Sequence, residues 1–388
     1  MKKIKVFEAF AGIGAQRAAL DKLKLKYEVV GISEWFINAL LAYDAIYHYN
    51  EPFECDKTIE EQRKYLSKFK FSKDSVHPCD IYKLKDYEIE DLYRAHIRTK
   101  NQGSITDIEL SNLDRIDILV YSFPCQDLST GGKTQGMKKG SGTRSGLLWE
   151  IERILLDLQK HEKLPKYLLL ENVKALIAAS NEKDFTEWKS FLKKIGYKNE
   201  KCLVLDAQKF GIPQHRERCF MLSQLVDDNN MICDYDSKLE AIRAKYVKNK
   251  KPINYFIKLG NVHIDEQDAA QLNRTPSREI MWDVNKRNVK WDENNNPILD
   301  NNLLIHTIHC NLDRSNTSAM FEYTGLKGHS YRLLTMREAF LLMGFTEEQY
   351  MRVKGLGFSY RKTNKLIGNS IVVDVLAAQF EVLFGKGK

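Results

Sequence analysis

Short apolar, β-rich runs alternate with helical periodicity from the first residues to about residue 225. Residues 4–10 ("IKVFEAF"), 27–35 ("YEVVGISEW"), 116–123 ("IDILVYSF"), 167–173 ("YLLLENV"), 201–207 ("KCLVLDA") and 217–223 ("ERCFMLS") read as strands. Residues 15–25, 36–49, 146–159 and 185–196 carry apolar residues at helical spacing. Strands that alternate with helices imply an α/β fold, a doubly wound and mostly parallel sheet covered on both faces. Ligands of such sheets sit at the carboxyl ends of the strands.

Residues 50–105 interrupt this rhythm. They are charged and helix-prone, and they read as an insertion. After Leu225 the alternation stops, and "VDDNN", "KNKKP" and "WDENNNP" are polar breakers. The expected division is a catalytic and cofactor-binding domain at 1–224, a smaller target-recognition domain of loops and short strands at 225–363, and a segment 364–388 that returns to the first domain. No apolar run approaches the ~20 residues of a membrane span, and Glu8 breaks the resemblance of the first residues to a signal peptide.

Five stretches carry chemistry. The turn "FAGIG" sets Gly12 and Gly14 between a strand and its helix, where backbone can approach a ligand closely. Arg17 stands where a dinucleotide fingerprint needs a third glycine, which argues against a nicotinamide cofactor. Glu34 ends the second strand and is suited to ribose hydroxyls, and Trp35 offers a stacking face. In "SFPCQDLS" the thiol of Cys125 stands at a strand end, straight after Pro124, with a loop rich in Gly, Lys and Arg behind it. Glu171 and Asn172 end another strand. "QHRER" spaces Gln214, Arg216 and Arg218 two apart, on one face of an extended segment. The seven cysteines form no CxxC pair, so neither a disulfide framework nor a structural metal site is expected.

Taken in order, these motifs resemble the cytosine-5 DNA methyltransferases, an S-adenosylmethionine-dependent family with a Rossmann-like fold. "FEAFAGIG", "EW", "SFPCQDLS", "SGTRSGLLWEIERIL", "ENV", "QHRER", "RLLTMREAFLLMGF" and "IGNSIVVDVL" carry the resemblance. The catalytic half is most similar to compact bacterial CpG-type enzymes, which share "TRSGLLWEIER". The segment "HTIHCNLDRSNT" departs from a Thr-Leu-Thr pattern common in the family, and only Thr307 matches.

The resemblance implies transfer of a methyl group from S-adenosylmethionine to carbon 5 of a flipped-out cytosine in a specific double-stranded sequence. Cys125 would form a covalent adduct at carbon 6, and Glu171 would hold or donate a proton at ring nitrogen 3. Arg218 would contact the ring oxygen, while Asn172 and Arg216 would position the site. Phe10, Gly12, Ile13, Gly14, Glu34, Trp35, Asp107, Ile108, Pro124, Leu148, Asn369 and Ser370 would bind the cofactor. Asp107 is preferred to Asp80 for the adenine amino group because its spacing to Pro124 is close to the family's.

The net charge of +8 is compatible with a polyanionic partner without demanding one. Gln126, Ser129, Lys133, Lys138, Lys139, Arg144, Arg274, Arg278 and Arg314 are the expected DNA contacts. The resemblance further implies a cytoplasmic monomer and the modification enzyme of a bacterial restriction-modification system, with a cognate endonuclease encoded nearby and no metal or membrane partner. Two alternatives remain at this point: a tRNA methyltransferase of the same fold, and a catalytically silent DNA-binding protein.

Overall fold

The computed structural model describes residues 3–113, 115–124, 128, 136–140, 143–226, 234–287, 289–294, 297–314, 318–323 and 331–385. The chain forms two compact units, one of residues 1–205 and 217–236 and the other of 206–216 and 237–388. The sequence draws its boundaries at 224 and 363. The ribbon 206–216 and the segment 364–388 both fall in the second unit.

The first unit holds strands β1 (Ile4–Ala9), β2 (Tyr27–Ser33), β3 (Ile118–Tyr121), β4 (Tyr167–Val173), β5 (Tyr197–Asn199), β6 (Leu203–Asp206) and, beyond the two-residue β7 (Gln214–His215) of the second unit, β8 (Glu217–Leu225). The sheet order is β2-β1-β3-β4-β8-β5, with β6 also paired to β8. The first four strands are parallel, whereas β8 runs antiparallel to both β4 and β5. A parallel neighbour needs a crossover of a dozen or more residues, usually a helix.

Helices α1 (Ala15–Lys22), α2 (Ile37–Tyr47), α3 (Ile59–Leu66), α4 (Asp86–Arg98), α5 (Leu148–Lys160) and α6 (Glu182–Lys194) cover the two faces. Helices α1, α2–α4 and α5 supply the crossovers between the parallel strands β1 to β4. Helix α5 buries Leu148, Ile151, Leu155 and Leu158, an i, i+3, i+7, i+10 stripe, against Phe7, Leu119 and Leu168 of the sheet. Trp188 and Leu192 of α6 join the same cluster. On the other face Leu40 and Tyr43 of α2, Leu66 of α3 and Leu92 of α4 pack with Ile32. Each such side chain contributes about 1.5–3 kcal/mol relative to exposure.

The second unit differs from the loops and short strands expected of it. Helices at Ile253–Phe256, Ile264–Ala269, Pro276–Asn285, Met336–Leu342, Glu347–Lys354, Tyr360–Gly368 and Val373–Phe384 dominate it. Their starts were written in the sequence. Thr335 with Glu338 and Thr346 with Gln349 form capping boxes, and Thr275 caps a helix that opens on Pro276.

The stretch Tyr360–Phe384 corrects one reading, because its length and hydropathy do suffice for a membrane span. It is two helices, Tyr360–Gly368 and Val373–Phe384, and most of it is buried within the fold.

Candidate active site

Parallel register brings the ends of β3 and β4 together. Tyr121 pairs with Leu170. One residue further, the Ser122 hydroxyl donates to Glu171 Oε2, and one beyond that, Asn172 Nδ2 donates to the Phe123 carbonyl at 3.0 Å. The Pro124 carbonyl in turn accepts from Ser145 Oγ at 2.9 Å. Three successive residues are thus each held by a side-chain hydrogen bond. Cys125 comes next, and it lies outside the described residues, as do Gln126, Ser129 and Lys133.

Strand β8 supplies the other side of Glu171. Antiparallel pairing sets Phe220 opposite Glu171 and Arg218 opposite Val173, so Arg218 and Glu171 are diagonal neighbours on one face. Arg218 Nε stands 3.6 Å from Glu171 Oε1. The carboxyl group is buried, with a guanidinium on one oxygen and a hydroxyl on the other. Ser122 was missed as a site residue, although the quoted motif contains it; only the register shows which side chain it meets.

Arg216 parts from Arg218. It belongs to the second unit and is buried. Its guanidinium donates to the carbonyls of Ile308 at 2.6 Å, Gly368 at 3.1 Å and Ser370 at 2.8 Å. Its observed partners are therefore backbone oxygens of two segments of its own unit. Gln214 does likewise, bonding the Leu342 carbonyl and the Ile308 amide.

The turn after β1 is built on left-handed backbone. Phe10, Gly12 and Gly14 have φ of 57°, 57° and 81°. A bulky residue such as Phe10 rarely adopts this region, and such outliers cluster at functional sites. A Cβ at Gly12 would meet nothing within 4 Å, so the backbone there is open to a ligand. A Cβ at Gly14 would stand 2.4 Å from the Tyr47 ring and 2.7 Å from that of Tyr43. Gly14 is thus a packing glycine, and only Gly12 has the open approach expected of both.

Glu34 faces this turn. Its Oε2 accepts from Gly12 N at 2.8 Å and its Oε1 from Phe36 N at 2.7 Å. Asn101 holds the same residue by its backbone, accepting from Glu34 N and donating to Glu34 O, both at 2.9 Å. Burial pushes the Glu34 carboxyl up to about 7, against the pull of the Phe36, Gly12 and Trp35 amides. Two oxygens offer about four acceptor sites, so capacity remains for a ribose hydroxyl. Trp35 is half-buried. Asn101 is a second residue the sequence did not flag.

Asp107 is partly exposed and pairs with Lys70 at 2.7 Å. The chain before it is tied to the carboxyl end of β2, since Gln102 N donates to the Ile32 carbonyl and Ser33 Oγ to that of Gly103. Asp80 instead caps a short 3-10 turn, Ile81–Lys83. Ile13, Ile108 and Leu148, expected at the cofactor, have buried side chains, and those of Ile108 and Leu148 lie in the core cluster under the sheet. In the second unit Ser370 is buried and Asn369 is exposed.

Four of the expected DNA contacts have local partners. Lys139 pairs with Glu152 at 2.7 Å and lies over the Trp149 ring, while Arg144 donates to the Ser75 carbonyl at 2.7 Å. Arg274 pairs with Glu279, and Arg278 donates to the Asn273 carbonyl. Lys138 and Arg314 are exposed. Met137 is buried and its carbonyl accepts from Trp149 Nε1, which anchors this end of the loop.

Comparison with known proteins assigns the chain to a family. The profile of the C-5 cytosine-specific DNA methylases matches residues 78–385. The orphan methyltransferase M.SssI of Spiroplasma monobiae is 36% identical over 400 aligned positions, covering 99% of this chain and 98% of its own. The Type II methyltransferase M2.ScrFI of Lactococcus lactis subsp. cremoris is 34% identical, covering 98% of this chain and 99% of its own. Among solved structures, the Dnmt2 methyltransferase of S. pombe superposes with a TM-score of 0.65 over 98% of both chains at 16% identity, a likeness of fold. With a family profile over most of its length and relatives more than a third identical from end to end, the chain belongs to the C-5 cytosine-specific DNA methylases and is a DNA (cytosine-5-)-methyltransferase.

Proposed function

We propose that the chain methylates cytosine through a covalent adduct of Cys125, on a base swung out of the duplex. The observation that carries this reading is the triple anchor of Ser122, Phe123 and Pro124 beside the Glu171–Arg218 pair.

Carbon 5 of cytosine is a weak nucleophile. The Cys125 thiolate forms a bond to carbon 6, and the ring electrons move to carbon 5. Glu171 holds a proton at ring nitrogen 3, which spreads the developing negative charge, and Arg218 supports the ring oxygen. S-adenosylmethionine supplies an electrophilic methyl group when bound. The open backbone at Gly12, the buried Glu34 and the flat face of Trp35 suit an adenosine-bearing group. Phe10, Asp107 and Pro124 are the further residues we assign to it. Loss of the carbon 5 proton and then of the thiolate restores the aromatic ring.

A base inside a duplex is out of a side chain's reach, and turning it out costs a few kcal/mol. The loop 126–144 is the element we assign to that step. Base reading goes to the second unit, where Arg274, Arg278 and Arg314 supply cations. The relatives' names include orphan and Type II enzymes. We place this chain with the second, as a cytoplasmic monomer that protects DNA from a companion endonuclease.

Trapping on duplex DNA that carries 5-fluorocytosine in many sequence contexts tests this reading. An adduct that survives denaturation and vanishes in Cys125→Ala supports it, and the trapped sequence gives the target. Trapping of tRNA alone, or of neither, would overturn it.

A further inference from the structure

Glu8 takes no part in the mechanism above, yet it is the most enclosed charged residue of the first strand, with no measurable exposure. Alternation along β1 turns it away from Phe7 and Ala9, toward helices α1 and α2. Its strand neighbours, Ile32 of β2 and Val120 of β3, are apolar. The charged and titratable groups that face it are Arg17 and Asp21 of α1 and Tyr43 and Tyr47 of α2.

Neither carboxyl oxygen of Glu8 makes a hydrogen bond of good geometry, although the Tyr43 hydroxyl and Arg17 lie close enough to draw its carboxyl down. The Tyr43 hydroxyl, Arg17 Nε and Gln16 Oε1 make none either. Four of these buried polar atoms, on Glu8, Arg17 and Tyr43 of β1, α1 and α2, lie in one neighbourhood. Buried polar atoms of native proteins almost always have partners, and ordered water is the usual one in such places.

The same residues brace the glycine turn. Tyr43 and Tyr47 fill the space above Gly14, and the Tyr47 hydroxyl donates to the Gly14 carbonyl. The Arg17 guanidinium lies 4.6 Å from the Tyr47 ring centroid and reaches His48 Nε2 at 2.9 Å. Gly14 is the cap of α1, two residues past the open Gly12.

We propose that Glu8 is a positioning residue for the cofactor turn: with Arg17 and Tyr43 it encloses buried water, and its charge holds Arg17 and α1 so that the turn 10–14 keeps its ligand-ready shape. The inference rests on the reading that this turn binds the methyl donor. Burial pushes the Glu8 carboxyl up to about 7, against the pull of Arg17 and Tyr43, so its charge is present above neutrality and absent below. Burial also pushes the Asp21 carboxyl up and holds His48 below its usual range.

The test is calorimetric binding of S-adenosylhomocysteine to full-length wild type and Glu8→Gln at about pH 6 and about pH 8. The variant should bind about tenfold more weakly at the higher pH and like wild type at the lower, with kcat at saturating cofactor changing less than KM. Its thermal midpoint should rise at the higher pH, because it no longer buries a charge. A merely structural role moves the midpoint and leaves the pH dependence of affinity intact. Equal affinity of the two proteins at both pH values would overturn the proposal. Gly12→Val separates the two readings: if it abolishes binding while Glu8→Gln does nothing, only the role of Glu8 fails, and if Gly12→Val binds normally, the cofactor reading fails too. Should Glu8→Gln not fold, Tyr43→Phe removes one wall of the chamber and should weaken binding at both pH values; unchanged binding would count against the proposal.

Discussion

Gly12 and Gly14 are two residues apart and have different jobs, which a pair of substitutions separates. Gly14→Ala puts a methyl group into the rings of Tyr43 and Tyr47 at a left-handed backbone position. It should destabilise the fold by about 2–4 kcal/mol, read as a lower denaturation midpoint. Gly12→Ala meets open space and should cost about 1 kcal/mol of stability while raising KM for the methyl donor at least tenfold. Glu171 and Ser122 form a second such pair. Glu171→Gln keeps the size of the group and loses the proton, so kcat should fall about 10²–10⁴-fold. Ser122→Ala removes only an orienting hydroxyl and should cost about tenfold, or near 1.4 kcal/mol. Steady-state kinetics on duplex DNA checks both. The residue types at these positions were legible in sequence. The partners were not, because Ser122 and Glu171 meet across two strands 49 residues apart.

At the scale of elements, the site is a consequence of register. Strands β3 and β4 run parallel and in step, so residues just past their ends fall side by side, and β8 brings Arg218 in from the opposite direction. The alternating pattern predicted these strands. It did not predict that β8 would be antiparallel, since a strand's side-chain period is the same in both directions. Nor did it separate Arg216 from Arg218. Arg216→Ala should lower stability by about 3 kcal/mol or more, because three carbonyls lose a charged donor, and Arg216→Lys should rescue it poorly, for lack of a planar fork. Arg218→Ala should lower kcat with little change in the midpoint. Denaturant titration beside kinetics distinguishes the two.

Over the whole molecule, Glu8 and Glu34 both keep protons up to about pH 7 when folded, against 4.5 for an ordinary glutamate. The folded chain then binds more protons than the unfolded chain between those values. Their contribution to stability is present below about pH 4.5 and lost as pH rises through about 7. Denaturant titration of the cofactor-free protein should show that loss, and the double variant Glu8→Gln, Glu34→Gln should flatten it. A net charge of +8 also predicts DNA affinity that falls steeply with salt, as counterions released on binding would require; affinity independent of salt would exclude phosphate contacts as its main source. The sequence by itself determined the alternating strands and helices, the order of the motifs and the family, because side-chain period and local motif chemistry are properties of neighbouring residues. Only the tertiary structure decided which glycine is open, which arginine faces Glu171, and that Glu8 is walled in beside other buried polar atoms. Each of these depends on distances between residues far apart in the chain, which packing sets and no local pattern encodes.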